Sequence, residues 1–537
     1  MTRSTLIERL ATQRPIVAGL VIATATIVAY LPARQAGFVW DDQYYITENL
    51  LMGSVDGLMR AWFVLGSAQQ YYPMIHTSFW LEYWLWGMEP GGYHVTNVLF
   101  HAANALLLWR VLVRLSLPGA WLAAAIFALH PVEVETAAWI AERKNLLSTF
   151  FYLLAMLAYF RFEQPDWERT HGADPRWYWT AFALFVAALL SKTVAFSLPA
   201  AIALIFWWKR GRLSWRSLRP LTGFLVVGVA FGALTAWMEK NVVGATGPGW
   251  DFTPLDRILI AGRAVWFYLA KLLWPASLSF SYPRWTIDAS QAWQYLFPLA
   301  AATALVLTWA LRDRIGRGPL TAWLFFGGTL FPALGFFDVF PFKFSFVADH
   351  FQYLASAGPI ALFAAVATLG IRRLRWPAVG DASSVAVLAL LAVLTWNQSA
   401  LYQSRIGLWA DVISKNPNST LAHNNIATLY AEQGDYQLAV RHNREALRID
   451  PDYELNHLNL GINLAHLRRN AEAMRHFRIQ IERFDDQYCG HDRLAALLAR
   501  QGRLDEALDN YRAALQHGPP NQRIEASIRK LERRLSR

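Results

Sequence analysis

Long uncharged apolar runs dominate the first 400 residues, and short polar turns separate them. Runs of roughly 15–20 residues are the length of membrane-crossing helices. Eleven fit: about 16–32, 93–113, 118–136, 145–161, 177–191, 194–208, 220–238, 292–311, 319–337, 351–371 and 382–397. The first, Ile16–Leu31, carries no charge at all. Arg110 falls near one end of the second and can reach the surface along its own stem. Segment 256–274 behaves differently. Its Arg257, Arg263 and Lys271 make it an amphipathic helix lying in an interface. Two long loops are expected outside the apolar runs, at 33–92 and 239–291.

After residue 400 the pattern becomes polar and repetitive. Ala427, Gly461 and Ala495 are spaced by 34 residues, as are Ala439, Ala473 and Ala507. Gly434, Arg468 and Gly502 keep the same step, and so do Pro417 and Pro451, with Asp485 and then Pro519 in the following slots. Small residues at these offsets let two helices approach closely, and the proline ends the second helix. This is the tetratricopeptide period. It predicts three repeats, at about 417–450, 451–484 and 485–518, within a domain of 401–520, capped by a basic helix at 521–537. The expected fold is all-α: a polytopic helical membrane domain over 1–400, then a tetratricopeptide-repeat α-solenoid.

Composition supports this division. The 537 residues are 55% hydrophobic and only 17% charged, which sets the chain apart from soluble proteins. The 25 Trp and 20 Tyr suit membrane–water interfaces. A net charge of +11 would suggest nucleic acid in a soluble protein. Here the cations cluster in short loops between apolar runs, and no basic patch with interleaved aromatics points to nucleic acid. Cys489 stands alone, which excludes an intrachain disulfide and a cysteine-based metal site. The first apolar run reads as an uncleaved signal-anchor.

Lys and Arg also set an orientation. Arg3, Arg9 and Arg14 hold the N-terminus in the cytoplasm. Arg114, the cluster Lys209–Arg219, the group Arg312, Arg314 and Arg317, and the group Arg372, Arg373 and Arg375 mark further inner ends. Eleven crossings then put the repeats outside, in the periplasm or beyond.

Four polar groups fall on the outer side of this topology. The first is Asp41-Asp42 in the run Phe38-Val39-Trp40-Asp41-Asp42. Asp commonly caps a helix start. The setting favours chemistry instead, because a long Tyr- and Trp-rich loop is too aromatic for disorder. The second is His130-Pro131-Val132-Glu133-Val134-Glu135, followed by Glu142, Arg143 and Lys144. Such dense charge is costly in a membrane unless it is paired or used, and a pair between Glu135 and Arg143 is an equal reading. The third is Ser191-Lys192-Thr193, an outer lysine against the charge bias. The fourth is Lys343 with Asp349-His350-Phe351-Gln352-Tyr353, which could also be an aromatic anchor with a paired Asp. His94, Asn97, His101 and Asn104 share one helical face and are expected to bond between helices rather than hold a metal. Carboxylates and cations at one depth fit group transfer from a lipid-linked phosphate to a hydroxyl. A carboxylate takes the acceptor proton, and Lys, Arg or His neutralises the departing phosphate.

Phe38-Val39-Trp40-Asp41-Asp42, His130-Pro131-Val132 with Glu135 and Arg143, and the C-terminal repeats together resemble the transmembrane-and-tetratricopeptide O-mannosyltransferase family, a group of GT-C glycosyltransferases. The resemblance covers nearly the whole chain. The run Ser345–Leu354 looks like its bacterial branch. The family implies a polyprenyl-phosphate sugar donor, mannose-like by expectation, a protein hydroxyl acceptor and inversion at the sugar carbon. It places the catalytic acid at Asp41 or Asp42. His130, Glu135, Arg143, Lys192, Lys343, Asp349 and His350 are then expected to line the donor phosphate or orient the acid. The eukaryotic members often carry Lys-Glu where this chain has Lys192-Thr193, and Glu-Arg where it has Asp349-His350. A histidine titrates near neutral pH, whereas the arginine of the eukaryotic members is a permanent cation.

The residues neither require nor exclude a divalent metal. The partners expected are the lipid-linked sugar, membrane lipid and a protein or peptide segment held by the repeats, with no nucleic acid. The location expected is a bacterial inner membrane. The alternative is a non-enzymatic membrane-anchored scaffold or a transporter for envelope assembly. Transporters concentrate ionisable residues near the midplane, whereas here they sit at the outer ends of the runs.

Overall fold

The structure, a computed structural model, describes residues 6–163, 174–247, 249–374, 376–484 and 487–536. Arg3, Arg375 and Asp485 lie outside the described residues. The described residues contain helices and turns and no β-strand. The chain divides into two compact units, residues 1–404 and 405–537.

Among the described residues of the first unit, five helices are long and apolar enough to cross a membrane: Pro90–Arg114, Ile140–Glu163, Trp215–Val243, Ala292–Ala310 and Ala378–Gln403. The bent pair Ile7–Gln13 and Pro15–Ala29 makes a sixth if it counts as one span. Eleven apolar runs therefore do not become eleven long helices. The run 118–136 gives the ten-residue helix Ala120–Leu129, because His130-Pro131 stops it. The run 319–337 gives Gly318–Leu330, followed by a 3₁₀ turn at Pro332. Run 194–208 opens as the 3₁₀ turn Thr193–Ser197 before Leu198–Arg210. These helices fall short of the ~20 residues that span a bilayer core. Their broken ends supply the short polar turns from which the candidate site is built.

Segment 256–274 forms the helix Pro254–Leu273, opened by a capping box between Thr253 and Asp256. Its apolar face buries Ala261, Ala264, Val265 and Tyr268 against Phe326, Leu330 and Val347. Gly262 is needed there, because a Cβ would stand 2.5 Å from the backbone nitrogen of Pro298. The loop expected at 33–92 carries helices of its own, Val55–Phe63 and Pro73–Trp86.

The second unit opens with the helix Arg405–Lys415, which the repeat pattern does not announce. Three helix pairs follow: Thr420–Glu432 with Tyr436–Ile449, Glu454–His466 with Asn470–Arg483, and Gln487–Arg500 with Leu504–His517. The helix Gln522–Leu535 closes the series and buries Ile524 and Leu531 in the shared core. Gly434, Arg468 and Gly502 take φ of 82°, 59° and 81°. The repeat thus demands a left-handed turn at one position, and Arg468 adopts it without glycine's freedom.

A second repeated device joins the helices of each pair. His423 Nε2 donates to the Pro417 carbonyl (3.1 Å), so its Nδ1 accepts from Nδ1–H of His442 (3.0 Å). His457 repeats this with Pro451 (3.3 Å) and His476 (3.0 Å). In the third repeat His491 meets the Asn510 side chain at 2.8 Å. Burial pulls His423, His442 and His457 below the usual 6.5, and pulls His476 down to about 4. The folded repeats therefore bind fewer protons than the unfolded chain in this window. Their stability is fully present above about pH 6.5 and is lost as pH falls toward about 4. The melting temperature of the repeats should be flat above neutrality and drop through that window. A melting temperature unchanged across it would contradict neutral, mutually bonded pairs.

Candidate active site

The Asp pair sits on a tight turn just after the first apolar helix. Trp40 has φ of 46°, and Asp42 N–H bonds back to the Val39 carbonyl (3.1 Å). This turn points the two carboxylates to different places. Asp42 is fully buried, with one oxygen accepting Val39 N–H (2.7 Å) and the other Ala141 N–H (2.7 Å). It staples the turn to the start of the helix Ile140–Glu163. Burial pushes it up to about 8, against the pull of the two backbone N–H groups. Asp41 is only partly buried and lies within electrostatic reach of Lys144, Glu142 and His350. Burial raises its carboxyl above the usual range, Lys144 and His350 oppose that shift, and Glu142 adds to it. A raised carboxyl is a stronger base than an ordinary Asp.

Glu142 is the hub of the polar cluster. It is fully buried, and its oxygens meet Lys144 Nζ (3.0 Å), Lys192 Nζ (3.4 Å), Asn145 Nδ2 (2.6 Å) and His350 Nε2 (3.8 Å). Glu135 holds the other face of His350, accepting its backbone N–H (3.1 Å) and meeting Nδ1 (3.0 Å). Asn145 Nδ2 also donates to the His350 carbonyl (2.8 Å). Lys144 lies over the rings of Tyr45 (5.5 Å) and Trp139 (5.7 Å). Burial pulls Lys192 down to about 8, although Glu142 pulls the other way. Four broken helix ends thus bring two lysines, one histidine and one partly exposed carboxylate together around a central Glu.

Other expected residues fall elsewhere. Arg143 does not pair with Glu135 and does not face the cluster. It is fully buried, and its guanidinium donates to Glu82 Oε2 (2.9 Å), Ser78 Oγ (2.7 Å), the Tyr93 carbonyl (2.9 Å) and Asn97 Oδ1. The 3₁₀ turn Ile140–Glu142 gives way to the helix at Arg143, and at this junction the side chains of Glu142 and Lys144 meet (3.0 Å) while Arg143 turns into the protein. His130 is spent on backbone groups, the Leu272 carbonyl (3.0 Å) and Val132 N–H (3.3 Å). Asp349 is buried and accepts from Tyr282 OH at 3.0 Å on both oxygens. Lys343 is exposed on the neighbouring turn Phe340–Lys343. In the helix Pro90–Arg114, Asn97 donates to the Trp139 carbonyl, Asn104 to the Leu146 carbonyl, and His101 meets Tyr353 OH (2.8 Å). Among the described residues no group of three or more His, Cys, Asp or Glu is placed to hold a metal ion.

Glu142 and Lys144 were visible only as part of a charge-dense turn, and no pattern singled out Glu142 as the hub. Gln70 and Glu239, which lie beside the cluster, carried no sequence signal at all. Gln70 Nε2 donates to Glu239 Oε1 (2.7 Å), and Tyr45 OH donates to Gln70 Oε1 (3.1 Å).

Comparison with known proteins adds two findings. Residues 420–453 match the tetratricopeptide repeat model. The chain is also similar to proteins named protein O-mannosyl-transferases. It is 26% identical to F38B6.6 of Caenorhabditis elegans over 81% of this chain and 63% of the relative. It is 25% identical to Tmtc3 of Drosophila melanogaster over 86% of this chain and 58% of the relative. It is 23% identical to TMTC3 of Homo sapiens over 76% of this chain and 47% of the relative. The chain therefore spans less than two thirds of the length of these relatives.

Proposed function

We propose that the chain is a GT-C type glycosyltransferase that moves a sugar, mannose-like by analogy with the names of its relatives, from a polyprenyl phosphate to a protein hydroxyl on the outer side of the membrane. The observation that carries this reading is the cluster itself: Lys144, Lys192 and His350 gathered around Glu142 at 3.0, 3.4 and 3.8 Å, with partly exposed Asp41 within electrostatic reach. The acceptor oxygen attacks the anomeric carbon and its proton passes to Asp41. The bond from that carbon to the phosphate oxygen breaks, the bonding pair leaves with the polyprenyl phosphate, and the sugar carbon inverts. Lys144 and Lys192 neutralise the phosphate as it gains charge. Glu142 keeps both ammonium groups together, and Glu135 orients His350 beside them. Asp42, His130 and Asp349 position backbone or neighbouring side chains and touch no substrate.

The tetratricopeptide unit is proposed to bind the acceptor protein. Its covalent link to the membrane unit makes the second encounter intramolecular and raises the local acceptor concentration. The charge alternation favours a cytoplasmic N-terminus and external repeats.

The test is transfer by the full-length protein in liposomes, given labelled polyprenyl-phosphate mannose and a Ser/Thr-rich peptide. The expected result is alkali-labile label on the peptide with inverted configuration. Failure to transfer from every polyprenyl-phosphate sugar offered would overturn the reading.

A further inference from the structure

A cavity of about 170 Å³ opens beside the cluster. It is smaller than the ~300–1,000 Å³ typical of drug-sized ligands, so it suits a single ring-sized group. Its lining combines two kinds of chemistry. Lys144 and Lys192 bring the cations of the cluster, with the His350 ring beside them. Gln70, Thr193, Thr235 and Glu239 bring neutral hydrogen-bonding groups and one carboxylate. The ligand that fits both carries an anion at one end and hydroxyls at the other.

Glu239 is the informative member. It is buried, and no Lys or Arg among the described residues forms an ion pair with it. Its oxygens are instead held by Gln70 Nε2 (2.7 Å) and by the Phe340 backbone N–H (3.3 Å). Two ionised oxygens offer about four acceptor positions, so roughly two remain open. A buried carboxylate without a cation is costly unless further donors complete its shell. The hydroxyls of a sugar are such donors. Gln70 is itself fixed by Tyr45 OH (3.1 Å), whose ring lies 5.5 Å from Lys144 Nζ. The carboxylate is therefore preorganised and mechanically continuous with the cluster.

Thr235 stands four residues before Glu239, on the same helical face. Its hydroxyl shares a 2.5 Å hydrogen bond with that of Thr193, next to Lys192. Either hydroxyl can supply the shared proton; when Thr193 supplies it, Thr235 keeps its own to donate, and when Thr235 supplies it, Thr235 still offers a lone pair. The helix loosens into a π-turn at Glu239–Val243, a local widening that recurs at ligand sites.

We propose that this cavity seats the pyranose ring of the donor, and that Glu239, oriented by Gln70 and helped by Thr235, reads the ring hydroxyls and sets which sugar is accepted. This assignment rests on the transferase reading above. It makes Glu239 a specificity-determining residue, separate from the base Asp41. Sites built to bond a hydroxyl discriminate strongly against the analogue that misplaces it, because their own polar groups are left unpaired.

The experiment compares polyprenyl-phosphate mannose with polyprenyl-phosphate glucose, which differ in configuration at one ring carbon, using full-length protein in liposomes. Glu239→Gln should raise KM for the preferred donor about tenfold, with a smaller effect on kcat, and should shrink the ratio of kcat/KM between the two donors about tenfold. Thr235→Val, nearly isosteric and uncharged, should shrink the same ratio and keeps the test available if Glu239→Gln does not fold. A wild-type ratio in both variants, or a fall in kcat with KM and the ratio unchanged, would overturn the cavity assignment alone. A wild-type protein inert toward these two and every other polyprenyl-phosphate sugar offered would overturn the transferase reading and this assignment with it.

Discussion

Asp41→Asn should lower the turnover of sugar transfer by about 10²–10⁴-fold, the usual contribution of a positioned general base. KM for the donor should move little, because Asp41 acts on the acceptor proton and not on the phosphate. The protein should still insert and melt normally, since the Asp41 side chain is partly exposed. Asp42→Asn should do the opposite. Each of its two carboxyl oxygens accepts one backbone N–H at 2.7 Å. An amide can accept only one and turns its own N–H₂ toward the other, leaving a buried donor unpaired at a cost of about 1–3 kcal/mol. Thermal stability should fall while residual folded protein keeps its turnover. Paired measurements of turnover in liposomes and melting in detergent separate the two residues. Loss of turnover in Asp42→Asn with normal melting, beside retained turnover in Asp41→Asn, would reverse the assignment.

Arg143→Met should be the most destabilising single change in the membrane unit. The guanidinium is fully buried between Glu82, Ser78, Asn97 and the Tyr93 carbonyl, with the rings of Phe79 and Phe100 at 5.3 and 5.7 Å. Removing it strands Glu82 without its cation, and breaking one side of a buried pair costs about 3–5 kcal/mol. That is a large fraction of the ~5–15 kcal/mol that holds a typical fold. Lys at this position should not rescue, because one ammonium cannot reach four acceptors set around a planar fork. The double change Glu82→Gln with Arg143→Met should be milder than Arg143→Met alone, since no orphan charge remains. Melting in detergent reads all three. Normal melting of Arg143→Met with a weakened donor KM would instead return Arg143 to the phosphate site.

The two expectations differ because neighbouring residues in one short motif do different work. Asp41 and Asp42 look equivalent along the chain, and a tight turn at Trp40 separates them. Glu142, Arg143 and Lys144 form one charged run, yet the start of a helix fans them apart. A sequence shows that such residues are present and close. It does not show which way each side chain points, since a step of one residue on a helix turns the direction by roughly 100°.

Much of the architecture was nevertheless legible. The 34-residue period gave the helix pairs, and the structure adds that the shared position of Gly434, Arg468 and Gly502 is left-handed. Periodicity is a local property and survives without knowledge of distant contacts. Three of the four residues expected to bond between helices, Asn97, His101 and Asn104, do so, although their partners Trp139, Leu146 and Tyr353 could not be named. Span count was less legible. Hydropathy averages over a window and passes smoothly through His130-Pro131, where the proline stops the helix.

The sequence by itself determined the all-helical class, the change from apolar runs to a repeat, and the set of acids and cations available for chemistry. These follow from composition and from periods of a few residues. Tertiary structure decided that Glu142 gathers Lys144, Lys192 and His350, that Arg143 belongs to Glu82, and that Gln70 meets Glu239 across 169 residues of chain. Such pairings depend on which distant segments are packed together. Burial then makes them strong, because few competing waters or counter-ions are left to screen them.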